Sequence, residues 1–209
     1  MTSSSSVYFL LDKSGSMEKY KNDTIGGFNQ FVNKQKTDNP GGKLSLLLFN
    51  DECHTVYTNV DIENVEILDG RSYDPCGTTA LLDAIAKTIK MAEEEKPVAA
   101  SADKIIVVIL TDGEENSSRK YTKKQVNELI ESKISATAAA WSFVFLGANQ
   151  DAIKEAGAFG IPEHSAMTFA QDSTTAAFGN LSAAIGRQTS MASCSVVFTQ
   201  TERESSLSF

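Results

Sequence analysis

The chain has 209 residues, of which 41% are hydrophobic and 22% charged, and its formal net charge is -8. This composition is typical of one globular domain of ordinary size, with enough apolar side chains for a core. An acidic surface repels phosphates, so we expect neither non-specific nucleic-acid binding nor attachment to an anionic membrane. No apolar run approaches the ~20 residues that a membrane span needs. The N-terminus has no basic region before its apolar run, so we predict no signal peptide and a cytoplasmic protein.

The three cysteines agree with a cytoplasmic location. Cys53, Cys76 and Cys194 are far apart in the sequence and form no CxxC pair. We therefore expect free thiols in a reducing compartment, with a disulfide or a zinc site as the alternatives.

The N-terminal half alternates between apolar strands and amphipathic helices. Residues 7–11 form a continuous apolar strand, and residues 20–36 carry apolar side chains at helical spacing. A second strand is predicted at 44–50, and the β-branched and aromatic residues 55–59 are expected to pair with it as an antiparallel edge. Residues 80–95 are predicted to form the next helix.

The C-terminal half continues the alternation. Its most convincing strand has the sequence KIIVVIL, which is apolar throughout, as expected of a central parallel strand covered on both faces. The predicted elements in this half are a strand at 104–110, a helix at 122–139, a strand at 141–146, a helix at 151–158, a weak strand at 165–170 and a helix at 173–188.

This order predicts an α/β fold with a doubly wound, mostly parallel sheet of about six strands, one antiparallel edge and helices on both faces. We place a short N-terminal tail at 1–5 and one domain at 6–187. Residues 188–209 are rich in Ser and Thr without clear periodicity, so we predict a flexible tail there, although CSVVFT could add a strand.

Three polar loops are expected to meet at the carboxyl ends of the strands, where ligands bind in such sheets. Their sequences are DKSGSM, DPCGTTALLDAI and LTDGEEN. They supply the carboxylates of Asp12 and Asp112, the hydroxyls of Ser14 and Ser16, and a threonine hydroxyl. These oxygen ligands suit Mg²⁺, Mn²⁺ or Ca²⁺ better than zinc.

The spacing of the first loop supports a metal site. In an extended turn, residues two apart point the same way, so Ser14 and Ser16 can face one ion together. Two carboxylates at the ends of neighbouring buried strands would repel each other. A divalent cation between Asp12 and Asp112 would remove that repulsion.

The three loops resemble the motifs of von Willebrand factor type A (VWA) domains. Asp12-Lys13-Ser14-Gly15-Ser16 matches the family's DxSxS motif, GTTALLDAI is similar to the second motif, and VVILTDGEEN is similar to the third, with Asp112 as its aspartate. In the second motif, Thr79 is the matching ligand and Thr78 the second choice. The resemblance covers about residues 6–187. The loops lack the disulfides common in extracellular members, so the chain is most similar to intracellular, microbial-type VWA proteins.

The resemblance implies a metal-ion-dependent adhesion site made of Asp12, Ser14, Ser16, Thr79 and Asp112. In the family the hydroxyls bind the ion directly and the aspartates often act through water. We therefore expect a non-enzymatic, metal-dependent protein-binding module, an adaptor or complex-assembly component that captures an Asp or Glu carboxylate of a partner protein. By the same resemblance, the partner could belong to a system containing an AAA-type ATPase, a kinase or a phosphatase.

Other interpretations stay open. Ser16 could simply cap a helix without metal. A strand followed by Asp and Mg²⁺ also occurs in haloacid-dehalogenase-type phosphatases, but their second acid would stand where this chain has Ser14. A structural subunit with an unoccupied site is the third possibility. The P-loop and dinucleotide-binding glycine patterns are absent from the sequence.

Three acids and one loop near the predicted site have two interpretations each. Asp83 could orient a ligand water, or could be a first-turn acid stabilised by the helix dipole. Glu114 and Glu115 could add negative field or a second cation site, or could lie in a solvated turn. The second loop, around residues 71–77, could contact a partner or be an ordinary loop.

Overall fold

The computed structural model describes residues 5–95, 104–135, 141–148, 151–170, 173–190 and 195–207. Their strands form one six-stranded sheet in the order β3-β2-β1-β4-β5-β6, in which only β3 is antiparallel to its neighbour. This confirms the predicted fold class. The strands are β1 (Ser5–Asp12), β2 (Lys43–Phe49), β3 (Cys53–Asp61), β4 (Lys104–Thr111), β5 (Trp141–Ala148) and β6 (Ala166–Phe169).

Helices flank the sheet and connect its parallel strands. Short 3-10 helices at Gly15–Tyr20, Ile62–Asn64 and Glu163–Ser165 complete the secondary structure. Residues 136–139, the end of the helix predicted at 122–139, lie outside the described residues. Among the described helices, none has the length and apolar character needed to cross a membrane. The helices are α1 (Lys21–Asp38), α2 (Leu81–Glu95), α3 (Lys123–Ser135), α4 (Ala152–Ala158), α5 (Thr174–Ser190) and α6 (Gln200–Leu207).

The central strand β1 contributes to two cores because alternate side chains point to opposite faces of the sheet. Phe9 packs between α1 and α5, and its ring centroid lies 5.4 Å from that of Phe28 in an edge-to-face arrangement. Tyr8 and Leu10 face the other core, under α2, α3 and α4. A strand covered on both faces must be apolar at every position, which explains the unbroken run that precedes Asp12.

Register places the ends of β1 and β4 side by side. Leu11 of β1 lies opposite Leu110 of β4 in a parallel pair. The next residues, Asp12 and Thr111, therefore end their strands at the same level. The loops that follow them leave the sheet at one edge, as the alternation of strands and helices predicted.

The C-terminal segment differs from the flexible tail expected there. Val196 and Phe198 are buried in the core, and Phe198 N–H donates to the carbonyl of His164 (2.9 Å). Residues 195–199 form no strand; instead α6 follows, held by a bidentate ion pair between Arg187 and Glu202 with both N–O distances 2.7 Å. The Ser/Thr-rich composition did not predict this packing. Only two alternate apolar residues, Val196 and Phe198, anchor the extended segment, and two residues are too few to give a recognisable pattern. Residues 1–4, 191–194 and 208–209 lie outside the described part of the chain.

Candidate metal-binding site

Asp12 is fully buried at the end of β1, and both of its carboxylate oxygens accept hydrogen bonds. Oδ1 accepts from the backbone N–H of Ser14 (2.6 Å), and Oδ2 accepts from the hydroxyl of Thr111 (2.6 Å). Burial raises the pKa of the Asp12 carboxyl from 3.8 to about 6, although both hydrogen bonds act in the opposite direction. Asp12 therefore fixes the turn that carries the two serines.

Ser14, Ser16 and Asp112 form a short chain of polar contacts. The two serine hydroxyl oxygens are 3.1 Å apart, and the Ser16 hydroxyl donates to Oδ1 of Asp112 (2.5 Å). The spacing of two residues between the serines thus places their hydroxyls side by side, as predicted. The third loop brings Asp112 to them across the β1–β4 boundary.

Asp112 has a buried oxygen without a hydrogen-bond donor. Its side chain is 1% exposed, and no described residue donates a hydrogen bond to Oδ2. The Lys19 ammonium lies 3.5 Å from this oxygen, which is an ion-pair distance without hydrogen-bond geometry. A buried carboxylate oxygen normally has donors or a cation beside it, because its desolvation is otherwise uncompensated.

Thr79 faces the same space. A Cβ atom placed on Gly113 would lie 3.4 Å from Oγ1 of Thr79 and 3.6 Å from Oγ of Ser16. The two hydroxyls therefore converge on the small volume beside Gly113, next to Asp112. The Thr78 hydroxyl instead donates to Oδ1 of Asp51 (3.2 Å).

The converging donors fit a hard divalent cation. Ser14, Ser16 and Thr79 offer neutral hydroxyl oxygens, and Asp112 offers a carboxylate, with no nitrogen or sulfur among them. The described residues contain no group of three or more His, Cys, Asp or Glu side chains that could hold a metal ion by themselves. A cation at this edge would therefore depend on the hydroxyl groups rather than on an acidic cage.

Backbone hydrogen bonds tie the first loop to the second. Gly15 N–H donates to the carbonyl of Gly77 (3.0 Å), and Cys76 N–H donates to that of Lys13 (2.8 Å). The Tyr73 hydroxyl donates to the carbonyl of Asp12 (2.6 Å). These contacts hold the hydroxyls of two loops in a fixed arrangement, and sequence analysis did not find them because they join residues about 60 positions apart.

Asn116 holds Thr79 in place and was missed by the sequence analysis. Its side-chain oxygen accepts from the Thr79 N–H (2.9 Å), and its own N–H donates to the Thr79 carbonyl (3.0 Å). Asn116 lies within LTDGEEN, but nothing in the local pattern distinguishes it from an ordinary turn residue. Thr111 was missed for the same reason.

The acids near the site support loops. Asp83 accepts hydrogen bonds from the backbone N–H groups of residues 119–121, at 3.0, 3.0 and 2.9 Å. Glu115 was predicted to add negative field or a cation site, or to lie in a solvated turn. Instead, its carboxylate accepts a hydrogen bond from the Leu82 N–H at the start of α2 (3.0 Å). Acids near the first N–H groups of a helix are stabilising. Glu114 is exposed.

The second loop is only partly available to a partner. Tyr73 is buried, so it cannot contact another protein. Asp74 is exposed and pairs with Lys21 at 2.6 Å, and Arg71 is almost fully exposed. The thiols of Cys53 and Cys76 are free, as expected, and Cys194 lies outside the described residues.

Comparison with known proteins agrees with this architecture. A family model described as von Willebrand factor type A domain matches residues 6–183. Comparison of the sequence with curated proteins gave no significant match. Domains described by this family model are mostly protein-interaction and adhesion modules.

Several solved structures share the fold. Proximal thread matrix protein 1 from the mussel byssus has a TM-score of 0.63 at 13% identity, with 85% of this chain and 46% of that chain covered. A von Willebrand factor type A protein from Catenulispora acidiphila has a TM-score of 0.62 at 16% identity, covering 87% and 42%. Manganese-loaded TRAP protein from Plasmodium vivax has a TM-score of 0.57 at 18% identity, covering 84% and 72%. At these identities the likeness concerns the fold alone, and the chain spans less than half the length of the first two.

Proposed function

The chain belongs to the von Willebrand factor type A domain family, and on that premise we propose that it is a divalent-metal-dependent protein-binding module. The ion would be Mg²⁺, with Mn²⁺ or Ca²⁺ as alternatives, and the bound group would be an Asp or Glu carboxylate of a partner protein. The observation that carries this proposal is the buried Oδ2 of Asp112, which no described residue hydrogen-bonds and beside which serine and threonine hydroxyls converge.

Each residue of the proposed site has a distinct task. Ser14, Ser16 and Thr79 would hold the ion through their hydroxyl oxygens, and Asp112 would balance its charge. Asp12 keeps the first turn in place through its bonds to Ser14 and Thr111. A bound divalent ion would supply an electrophilic centre for one carboxylate of the partner, because anionic carboxylate oxygens are ligands that hard divalent cations prefer.

Two further points support the proposal. Neutral hydroxyls leave more positive charge on an ion than carboxylates would, so the ion retains attraction for an incoming anion. The solved TRAP structure carries manganese in a protein of the same fold. A cytoplasmic adaptor or complex-assembly role, beside an ATPase, kinase or phosphatase system, is part of the same proposal.

Thermal unfolding tests the metal site directly. A ligand that binds only the folded state stabilises it, by about 2.7 kcal/mol at a concentration 100 times its Kd. Mg²⁺ should therefore raise the Tm of the wild type and not that of Asp112→Ala. Asp23→Ala removes an exposed carboxylate on α1, away from the site, and should retain the full Mg²⁺-dependent increase in Tm. An equal shift in all three proteins would place the metal elsewhere.

Partner capture tests the second half of the proposal. The immobilised protein should retain its partner in Mg²⁺ and release it in EDTA, and the Asp112→Ala protein should retain less. Mass spectrometry of the EDTA eluate would identify the partner. A partner held equally in EDTA would show that the fold binds proteins through another face.

A further inference from the structure

A groove of about 730 Å³ begins beside the proposed metal site. It lies between the start of β3, the outer face of α2 and the loop that precedes α3. Thr78 and Ala80, the two neighbours of Thr79, line its near end. A partner segment whose carboxylate binds at the metal site could therefore place its neighbouring residues in the groove.

The groove exists because α2 presents small side chains at its near end and long ones farther along. Ala80 and Ala84 are four residues apart and form the floor. Lys87 and Lys90 follow on the same side of the helix, and both are exposed. From Leu81 to Lys90 the helix rises about 14 Å, at 1.5 Å per residue. An extended peptide covers that length with about four residues.

Positive charge dominates the groove's unpaired groups. Its cations are Lys87, Lys90, Arg119 and Lys120, all exposed, in a protein of net charge -8. Within the described part of the chain, no ion pair involves Lys90, Arg119 or Lys120.

Two of the groove's three acids already accept hydrogen bonds. Asp83 accepts from three backbone N–H groups, and Asp51 accepts from both the N–H and the hydroxyl of Thr78. The third acid, Glu52, is exposed and lies 3.4 Å from His54, which carries a positive charge only when it is protonated. The groove's four cations thus outnumber its three acids, and two of those acids are already hydrogen-bonded, which favours an anionic occupant.

We infer that this groove receives an acidic, extended segment of the same partner that supplies the metal-binding carboxylate. The inference rests on the proposed function. It adds that the partner carries further Asp or Glu residues about four positions away from the coordinating one. Those acids would pair with Lys90, Arg119 and Lys120, so the groove would select among the many exposed carboxylates that a metal ion alone could bind.

Two fluorescent peptides provide the probe. Both have one central aspartate in a Gly/Ser context; one carries glutamates about four positions to either side, and the other carries glutamines there. Fluorescence anisotropy in Mg²⁺ should show the glutamate peptide binding about tenfold more tightly to the wild type, the size expected from several exposed ion pairs together. Added salt should reduce this advantage.

A double variant locates the effect. In Lys90→Gln/Arg119→Gln the advantage of the glutamate peptide should fall below about twofold, while the Kd for Mg²⁺ stays unchanged. The matched control Lys124→Gln/Lys154→Gln removes two exposed cations outside the groove and should keep the advantage. An advantage that survives in the groove variant, no preference for the glutamate peptide, or no binding of that peptide at all would overturn the inference. Retention of the advantage in EDTA, with its loss in the groove variant, would support the groove and contradict the metal-dependent function.

Discussion

The Lys19 ammonium lies 3.5 Å from Oδ2 of Asp112, the buried oxygen to which no described residue donates a hydrogen bond. Lys19 is half exposed and also lies over the ring of Tyr20, 4.8 Å from its centroid. The chain thus places its own positive charge beside the carboxylate that we assign to the metal. The Lys19 side chain is long and flexible, so its ammonium can move away from Asp112. A divalent ion bound at Asp112 would repel the ammonium and favour that movement.

We expect Lys19→Met to bind Mg²⁺ more tightly than the wild type. The substitution removes a positive charge that competes for Asp112. Because the Lys19 side chain is half exposed, water screens the pair, and the remaining interaction of about 1 kcal/mol corresponds to a Kd lower by roughly five- to tenfold. Isothermal titration calorimetry measures the change. Lys124→Met, in the exposed part of α3, is the control and should leave Kd unaltered. Weaker Mg²⁺ binding in Lys19→Met would mean that Lys19 supports the site instead of competing for it.

The two adjacent threonines provide a test of the ligand set. Thr79→Val keeps the shape of the side chain but removes the hydroxyl that faces Ser16 and Gly113, so Mg²⁺ affinity should fall by about tenfold or more. Thr78→Val removes a hydroxyl that bonds Asp51 instead, so the loss should stay below about threefold. Calorimetric titration with Mg²⁺ compares the two, and circular dichroism checks that both fold. The opposite ranking would make Thr78 the ligand.

The raised pKa of Asp12 predicts a specific pH dependence of stability. The folded, metal-free protein binds this proton more tightly than the unfolded chain, because burial raises the pKa from 3.8 to about 6. This contribution is complete below pH 3.8 and is lost as the pH rises through about 6. Asp12→Asn is neutral at every pH, so in EDTA it should be the more stable protein at neutral pH, by at most about 3 kcal/mol.

Urea denaturation at a series of pH values in EDTA measures the effect of Asp12→Asn. The stability difference from the wild type should shrink steadily as the pH falls from 6 to 4. Carboxyls distant from Asp12 titrate equally in both proteins and cancel in the difference. A difference that does not change with pH would show that Asp12 remains ionised in the metal-free fold.

Packing of α1 against α5 leaves no room for a side chain at Gly27. A Cβ there would lie 2.3 Å from Cδ2 of the buried Phe178 ring. We expect Gly27→Ala to lower the free energy of unfolding by about 1–3 kcal/mol, as overpacked cores do. The neighbouring Gly26 has open space around it, so Gly26→Ala should be neutral or stabilising by up to about 1 kcal/mol through helix propensity. Urea denaturation distinguishes the pair, and equal effects would contradict this packing.

The C-terminal segment should contribute to the stability of the domain. Phe198 is 4% exposed in the core, so Phe198→Ala should cost about 3–5 kcal/mol. Val197, next to it, is 43% exposed, and Val197→Ala should change the stability by less than about 0.5 kcal/mol. Thermal or urea unfolding of the two variants gives the answer. A negligible effect of Phe198→Ala would restore the flexible tail that the composition predicted.

The sequence by itself determined the α/β architecture. Strands covered on both faces must be apolar throughout, and amphipathic helices must repeat their apolar residues every three or four positions, so the order of elements was visible in the chain. The loop motifs also identified Asp12, Ser14, Ser16 and Asp112 as residues of one candidate site, because parallel strands bring their carboxyl ends to one edge. These patterns are local, and the periodicity of a strand or helix decides directly which face of the element each residue occupies.

Only the tertiary structure decided how the site is held. The motif resemblance favoured Thr79 over its neighbour Thr78, and the structure adds a physical difference, because Asp51, 27 residues before Thr78, accepts a hydrogen bond from the Thr78 hydroxyl. Asn116 and Tyr73 support the loops through hydrogen bonds to residues 37 and 61 positions away. The burial of Val196 and Phe198 against the domain is of the same kind. Such contacts have no periodicity along the chain, because they depend on which surfaces the folded sheet brings together.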